Sequence, residues 1–235
     1  MGGFLRRFRR GNRDSEPTTS PRQRQGPDLG ELAPLVERSH LTVILARGGG
    51  GRIEGDVALL DVGGVSMAAR VSFAVSQLGD VLVVGRPGTL AGVAAVPFYR
   101  KDSHTSLTGL VTGMRAALDL APPGTKPLVM LVGVDQPYVR TETLRFLLAF
   151  AGTSEAVVPV DEEGNRHLTC GVYPTSWLDQ ALKADDDDLS LEDFLAGMKV
   201  REIGPDVWRG WGEDGRSWFP VSAVTVDEAR SRFGT

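Results

Sequence analysis

Four short apolar runs constrain this chain most. Residues 41–46 (LTVILA), 80–84 (DVLVV), 93–98 (VAAVPF) and 127–132 (PLVMLV) have strand length and no polar alternation. A strand with one wet face alternates, whereas a strand covered on both faces does not. Between the runs lie segments with apolar residues at helical spacing. One is 66–78, with Met67, Val71, Phe73, Ala74 and Leu78; others are 107–118 and 141–151, the latter with Leu144, Phe146, Leu147, Leu148 and Phe150. Strands alternating with helices predict an α/β fold, a mostly parallel sheet with helices on both faces. Ligands in such sheets sit at the carboxyl ends of the strands. The segments directly after residues 46 and 132 are therefore the candidate ligand-binding loops.

The remainder is less regular. Residues 156–160 and 167–173 read as strands joined by the turn 161–165, hence a hairpin or neighbouring strands. Residues 199–203 read as another strand, and 58–62 as a short extended piece turned by Gly63 and Gly64. Further helices are expected at 28–39, 176–183 and 190–198. The acids Asp185, Asp186, Asp187 and Asp188 read as a solvated loop, because adjacent aspartates rarely point at one ion. Trp208, Trp211 and Trp218 read as aromatic packing in a hairpin around 212–215, rather than as a stacking platform for a flat ligand. Thr225 and Glu228 have the spacing of a capping box for a last helix.

Composition bounds the partners. The net charge of −4 does not point to nucleic acid. Cys170 is the single cysteine, which rules out a disulfide within the chain and suits a reducing cytoplasm. No apolar run approaches membrane-spanning length. Residues 1–30 carry seven arginines and, after Phe8, almost nothing apolar, so they read as a basic disordered tail. They lack the apolar stretch of a secretory signal.

The run 41–46 breaks, after Ala46 and Arg47, into Gly48, Gly49, Gly50 and Gly51, followed by Arg52. A buried strand feeding glycines is a design for anions: backbone N–H groups approach closely and the arginine adds charge. Two familiar fingerprints fail here. Gly50 and Gly55 have P-loop spacing, but Asp56 and Val57 stand where Lys and Ser or Thr belong. The dinucleotide pattern fails at Ile53.

A third pattern fits. Leu45, Ala46, Gly48, Arg52, Asp56, Leu59 and Gly63 fall in register with the signature of the MobA-like nucleotidyltransferases, relatives of the molybdenum cofactor guanylyltransferase. The likeness continues through 106–110 (SLTGL), 129–137 (VMLVGVDQP), 166–173 (RHLTCGVY) and 221–229. It covers about residues 41–230 and marks 31–235 as the MobA-like domain. The chain thus resembles a family of glycosyltransferase-A, or nucleotide-diphospho-sugar transferase, architecture. The resemblance implies binding of a nucleoside triphosphate with Mg²⁺, GTP being favoured. A phosphate on the acceptor, molybdopterin for example, would attack the α-phosphorus, and pyrophosphate would leave. It implies that Ala46, Arg47 and Gly48 to Gly51 hold the nucleotide, that Arg52 clamps phosphate, and that Asp135 ligates the metal. Asp102 is a second carboxylate that could meet metal or nucleotide.

The chain departs from the family pattern at several of these positions. Val57 replaces the signature lysine, Arg47 replaces a glycine, and Ser222 and Val224 replace the closing polar pair. Two readings stay open. In one, an active transferase uses Arg47 for the charge Val57 lacks. In the other, a catalytically degenerate relative binds a nucleotide or a partner protein. A cytidine-specific or sugar-phosphate transferase is a further option, with base choice set by loops around 84–88.

Overall fold

The computed structural model describes residues 40–46, 57–84, 95–96, 119, 126–177, 197–222 and 224–234. Its strands are β1 (His40–Leu45), β2 (Val81–Val84), β3 (Ala95–Val96), β4 (Leu128–Gly133), β5 (Ala156–Pro159), β6 (Cys170–Pro174) and β7 (Val200–Ile203). The described helices are α1 (Met67–Val75), α2 (Thr141–Phe150), α3 (Pro205–Trp208) and α4 (Val226–Phe233). The expected helices at 28–39, 107–118 and 190–198, the acid run at 185–188 and the basic tail lie wholly or largely outside the described residues. Residues 175–177 begin the helix expected near 176. No described helix is long and apolar enough to cross a membrane.

The strands form one sheet in the order β3-β2-β1-β4-β6-β5-β7. β1 runs parallel to β2 and β4, β2 to β3, and β5 to β7. β6 runs antiparallel to both neighbours, β4 and β5. Every residue of β1 and of β4 is buried, which accounts for their mostly apolar, non-alternating sequences; His40 and Thr42 are the polar residues buried in β1. Strand β5 returns from α2 one place further out than adjacency to β4 would require, and β6 fills the gap. The turn after β5 dictates the sense of β6. Asp161 accepts hydrogen bonds from the backbone N–H of Glu163 (3.0 Å) and Asn165 (2.7 Å), and Gly164 takes a φ of 87°. So short a return permits only an antiparallel neighbour.

Helix α1 starts where the sequence signals it. Gly63 and Gly64 have positive φ, and the Ser66 hydroxyl accepts from the N–H of Ala69 at 3.3 Å. The stretch before it is not extended as expected. Val57–Leu59 is a 3-10 turn that buries Ala58 and exposes Leu59, and only Asp61 makes a bridge, to Ser66. One helical turn lets the chain descend from the sheet rim onto the face that α1 covers.

Two apolar clusters can be followed among the described residues. The larger contains Ile44, Met130, Val132, Leu144, Leu147, Val172, Trp208 and Trp218. Each fully buried aliphatic side chain there contributes about 1.5–3 kcal/mol relative to exposure. The smaller joins Val62, Met67 and Tyr138 to Val221, Val226 and Ala229 of the C-terminal segment.

The tryptophans pack, but in a helical corner rather than a hairpin. Pro205 opens α3, and 3-10 turns follow at Arg209–Trp211 and Arg216–Trp218, with Gly212 and Gly215 left-handed between them. Trp208 and Trp218 meet edge to face at 5.3 Å, and Trp211 stacks on Phe146 at 4.7 Å. Glu213 is buried inside this corner. Its carboxylate accepts from Thr143 Oγ1 (2.5 Å), Ser217 Oγ (2.6 Å) and Arg140 Nη2 (3.1 Å). The capping box at α4 does not form. The Thr225 hydroxyl instead accepts from the N–H of Ser222 at 2.9 Å and donates to the carbonyl of Pro220 at 3.2 Å.

Candidate nucleotide and metal site

The site is built where β1 and β4 end together. Their register pairs Leu45 with Gly133, and the N–H of Val134 donates to the carbonyl of Leu45 at 3.0 Å. Ala46, buried, comes directly after one strand, and Asp135 lies two residues past the end of the other. Both therefore occupy one rim of the sheet, as expected. Arg47, Gly48, Gly49, Gly50, Gly51, Arg52 and Asp102 lie outside the described residues. Val57 opens the 3-10 turn that leads from that loop into α1.

A compact turn presents Asp135. The N–H of Gln136 donates to the Gly133 carbonyl at 3.1 Å, and that of Val139 to the Gln136 carbonyl at 3.1 Å. The Asp135 carbonyl accepts from the N–H of Val221 at 2.7 Å, so the C-terminal segment is held against the turn. The Asp135 side chain folds back over Gly133: a Cβ on that glycine would collide with Oδ1. Thr169 Oγ1 crowds the same face, 3.2 Å from that Cβ position. Gln136, itself buried, locks the arrangement. Its Oε1 accepts from the Gly133 N–H at 3.2 Å, and its Nε2 donates to Thr169 Oγ1 at 3.3 Å.

Burial raises the Asp135 pKa above its ordinary value, opposed only by its own backbone N–H. Among the described residues no cation pairs with it. A desolvated carboxylate without a counter-charge at a ligand-binding rim suits a hard divalent cation. No three His, Cys, Asp or Glu side chains gather into a metal cluster among the described residues. Phosphate and water supply several ligands of a Mg²⁺ ion in the usual arrangement, so one carboxylate from the described residues suffices to anchor it. Cys170 adds nothing to this chemistry. Burial, then the charges of Glu213 and Asp135, push its thiol far up.

The departures at the C-terminal segment take shape here. Ser222 Oγ accepts from the N–H groups of Val224 (3.3 Å) and Thr225 (3.2 Å), closing its own turn, and Val224 is exposed. Sequence reasoning does not single out Gly133, Gln136 or Thr169. The glycine ending β4 is the one available signal; of the two residues that crowd it, Asp135 is two positions on and Thr169 is remote along the chain.

Residues 42–202 match the model of the MobA-like NTP transferase domain. The chain belongs to that family. No curated protein matches it. Solved structures show the same fold at low identity. Molybdopterin-guanine dinucleotide biosynthesis protein A from Archaeoglobus fulgidus is similar at 16% identity and a TM-score of 0.61, over 82% of this chain and 97% of that one. The 2-C-methyl-D-erythritol 4-phosphate cytidylyltransferase from Thermus thermophilus gives 21%, 0.55, 81% and 97% respectively. A nucleotidyl transferase from Methanothermobacter thermautotrophicus gives 20%, 0.52, 71% and 87%. The architecture of this MobA-like chain is thus of the nucleotide-diphospho-sugar transferase type.

Proposed function

We propose that this MobA-like chain transfers a nucleoside monophosphate, GMP by preference, from NTP–Mg²⁺ to a phosphate-bearing acceptor such as molybdopterin. The observation that carries the reading is Asp135, a desolvated carboxylate without a cation among the described residues, on the rim where the glycine-rich loop leaves β1.

In this reading Asp135 holds Mg²⁺ through a carboxylate oxygen, and the ion supplies charge neutralisation for the triphosphate. The backbone N–H groups of Gly48 to Gly51 cradle phosphate oxygens, and Arg52 clamps them by charge-assisted hydrogen bonds. Arg47, in the same loop, supplies the positive charge that Val57 cannot. Asp102 meets the metal or nucleotide as a second carboxylate. The chain's task is to align the acceptor phosphate with the α-phosphorus and stabilise the spreading charge; no protein nucleophile is needed.

A second reading has specific support. With Val57 in the lysine position and Ser222 turned into its own loop, a relative that binds nucleotide without turnover is also consistent with the residues. Pyrophosphate release from GTP and Mg²⁺ in the presence of molybdopterin separates the two. Release supports the transferase. Calorimetric binding without turnover of any of the four nucleotides supports the second reading. Preference for CTP over GTP would redirect the search for the acceptor.

A further inference from the structure

Resting on the reading that Asp135 gathers a metal–triphosphate complex, we infer that the Thr169 hydroxyl contacts the bound phosphates as a hydrogen-bond donor. The direction of its proton is set by the lock around it. Gly133 N–H donates to the Thr169 carbonyl at 2.8 Å and also to Gln136 Oε1 at 3.2 Å; a flipped Gln136 amide would set its NH₂ against that donor, so the oxygen faces Gly133. The amide NH₂ then faces Thr169 and donates to Oγ1 at 3.3 Å. Thr169 is the acceptor in that bond, and its own proton must point elsewhere. No acceptor takes it among the described residues, although its oxygen crowds the same face of Gly133 as Asp135 Oδ1. The β4–β6 register, Val132 opposite Cys170, places Thr169 across from Gly133 at the strand ends. Thr169 is half-buried rather than sealed in the core. A hydroxyl whose lone pair is engaged and whose proton is unassigned, beside a carboxylate suited to a cation, complements the phosphate oxygens that the cation draws in.

The geometry also says what would silence it. Gln136→Glu places a carboxylate that accepts from both Gly133 N–H and the Thr169 hydroxyl, so the proton is diverted while every partner stays bonded. Calorimetric titration of the full chain with GTP–Mg²⁺ tests this, with thermal melts to confirm folding. Thr169→Val should weaken binding about tenfold, the loss of one charge-assisted hydrogen bond. Thr169→Ser should stay within about twofold of the unaltered chain. Gln136→Glu should weaken binding comparably and add little in the Thr169→Val background, because both changes remove one contact. Independent, additive losses would instead mark the added charge as the cause and overturn the inference. Unchanged binding by Thr169→Val, where Asp135→Ala abolishes it, overturns the role of Thr169 and leaves the metal–triphosphate reading standing. No binding by the unaltered chain overturns both.

Discussion

The Asp135 carboxylate, where it lies, and a side chain at position 133 exclude each other: the carboxylate occupies the volume that a Cβ on Gly133 would need. The glycine is required by proximity, with no unusual backbone angle. It belongs to β4 and pairs in ordinary register with Leu45. The aspartate is therefore aimed by the absence of an atom beneath it.

Gly133→Ala should displace the Asp135 carboxylate more than it disturbs the sheet. Overpacking of one methyl costs about 1–3 kcal/mol, measurable as a lower urea midpoint. Affinity for NTP–Mg²⁺ should fall at least as far as in Asp135→Asn. Retained affinity would show that the carboxylate needs no fixed position.

Asp135→Asn should stabilise the metal-free fold at neutral pH. Burial raises the folded-state pKa above its unfolded value, so the fold binds that proton more tightly. Holding the group charged costs stability at any pH above the raised value. The cost disappears below the unfolded value, near pH 4, where both states are protonated. Melting curves of the two proteins should converge as pH falls from 7 to below about 4. A gap that stays constant, or widens in acid, contradicts the assignment.

Glu213→Ala should be severely destabilising. It leaves Arg140 without its carboxylate and strips acceptors from Thr143 and Ser217. Breaking a buried pair in this way costs about 3–5 kcal/mol, which denaturant titration would register. Glu213→Gln keeps an acceptor oxygen and should lose less. Arg140 also begins the helix after the Asp135 turn, and its N–H donates to Ser217 Oγ at 3.2 Å. Loosening this corner should therefore raise mobility at Asp135 too.

Val57→Lys tests the departure from the family signature. If the site lacks only one charge, nucleotide affinity should rise by about 1.5–3 kcal/mol, or roughly 10- to 150-fold, in calorimetry. No gain would mean that the loop has been remodelled around valine, with Arg47 already in the role.

Much of the fold is legible because its causes are local. Apolar runs without alternation announce β1, β2 and β4, and the Asp161–Asn165 turn announces the antiparallel pair. Ser66 after two glycines announces the start of α1. The failures have local causes too. Residues 57–59 are apolar and short, and their sequence does not distinguish an extended piece from a helical turn. Thr225 and Glu228 have capping-box spacing, but Ser222 and Pro220 compete successfully for the hydroxyl. The tryptophans announce packing without its geometry, since aromatic content says nothing of whether a chain folds back as strands or as helical turns.

The sequence by itself determined a buried parallel sheet, its family, and an aspartate on the rim beside a glycine-rich loop. Periodicity, turn chemistry and motif spacing are read along the chain, and these features need nothing else. Only the tertiary structure decided what surrounds that aspartate. The insertion of β6 between β4 and β5 carries Thr169 to Gly133, and the docking of the C-terminal segment carries Val221 to the Asp135 carbonyl. Those contacts join residues far apart in sequence. Strand order and packing set them, and neither is written in any local pattern.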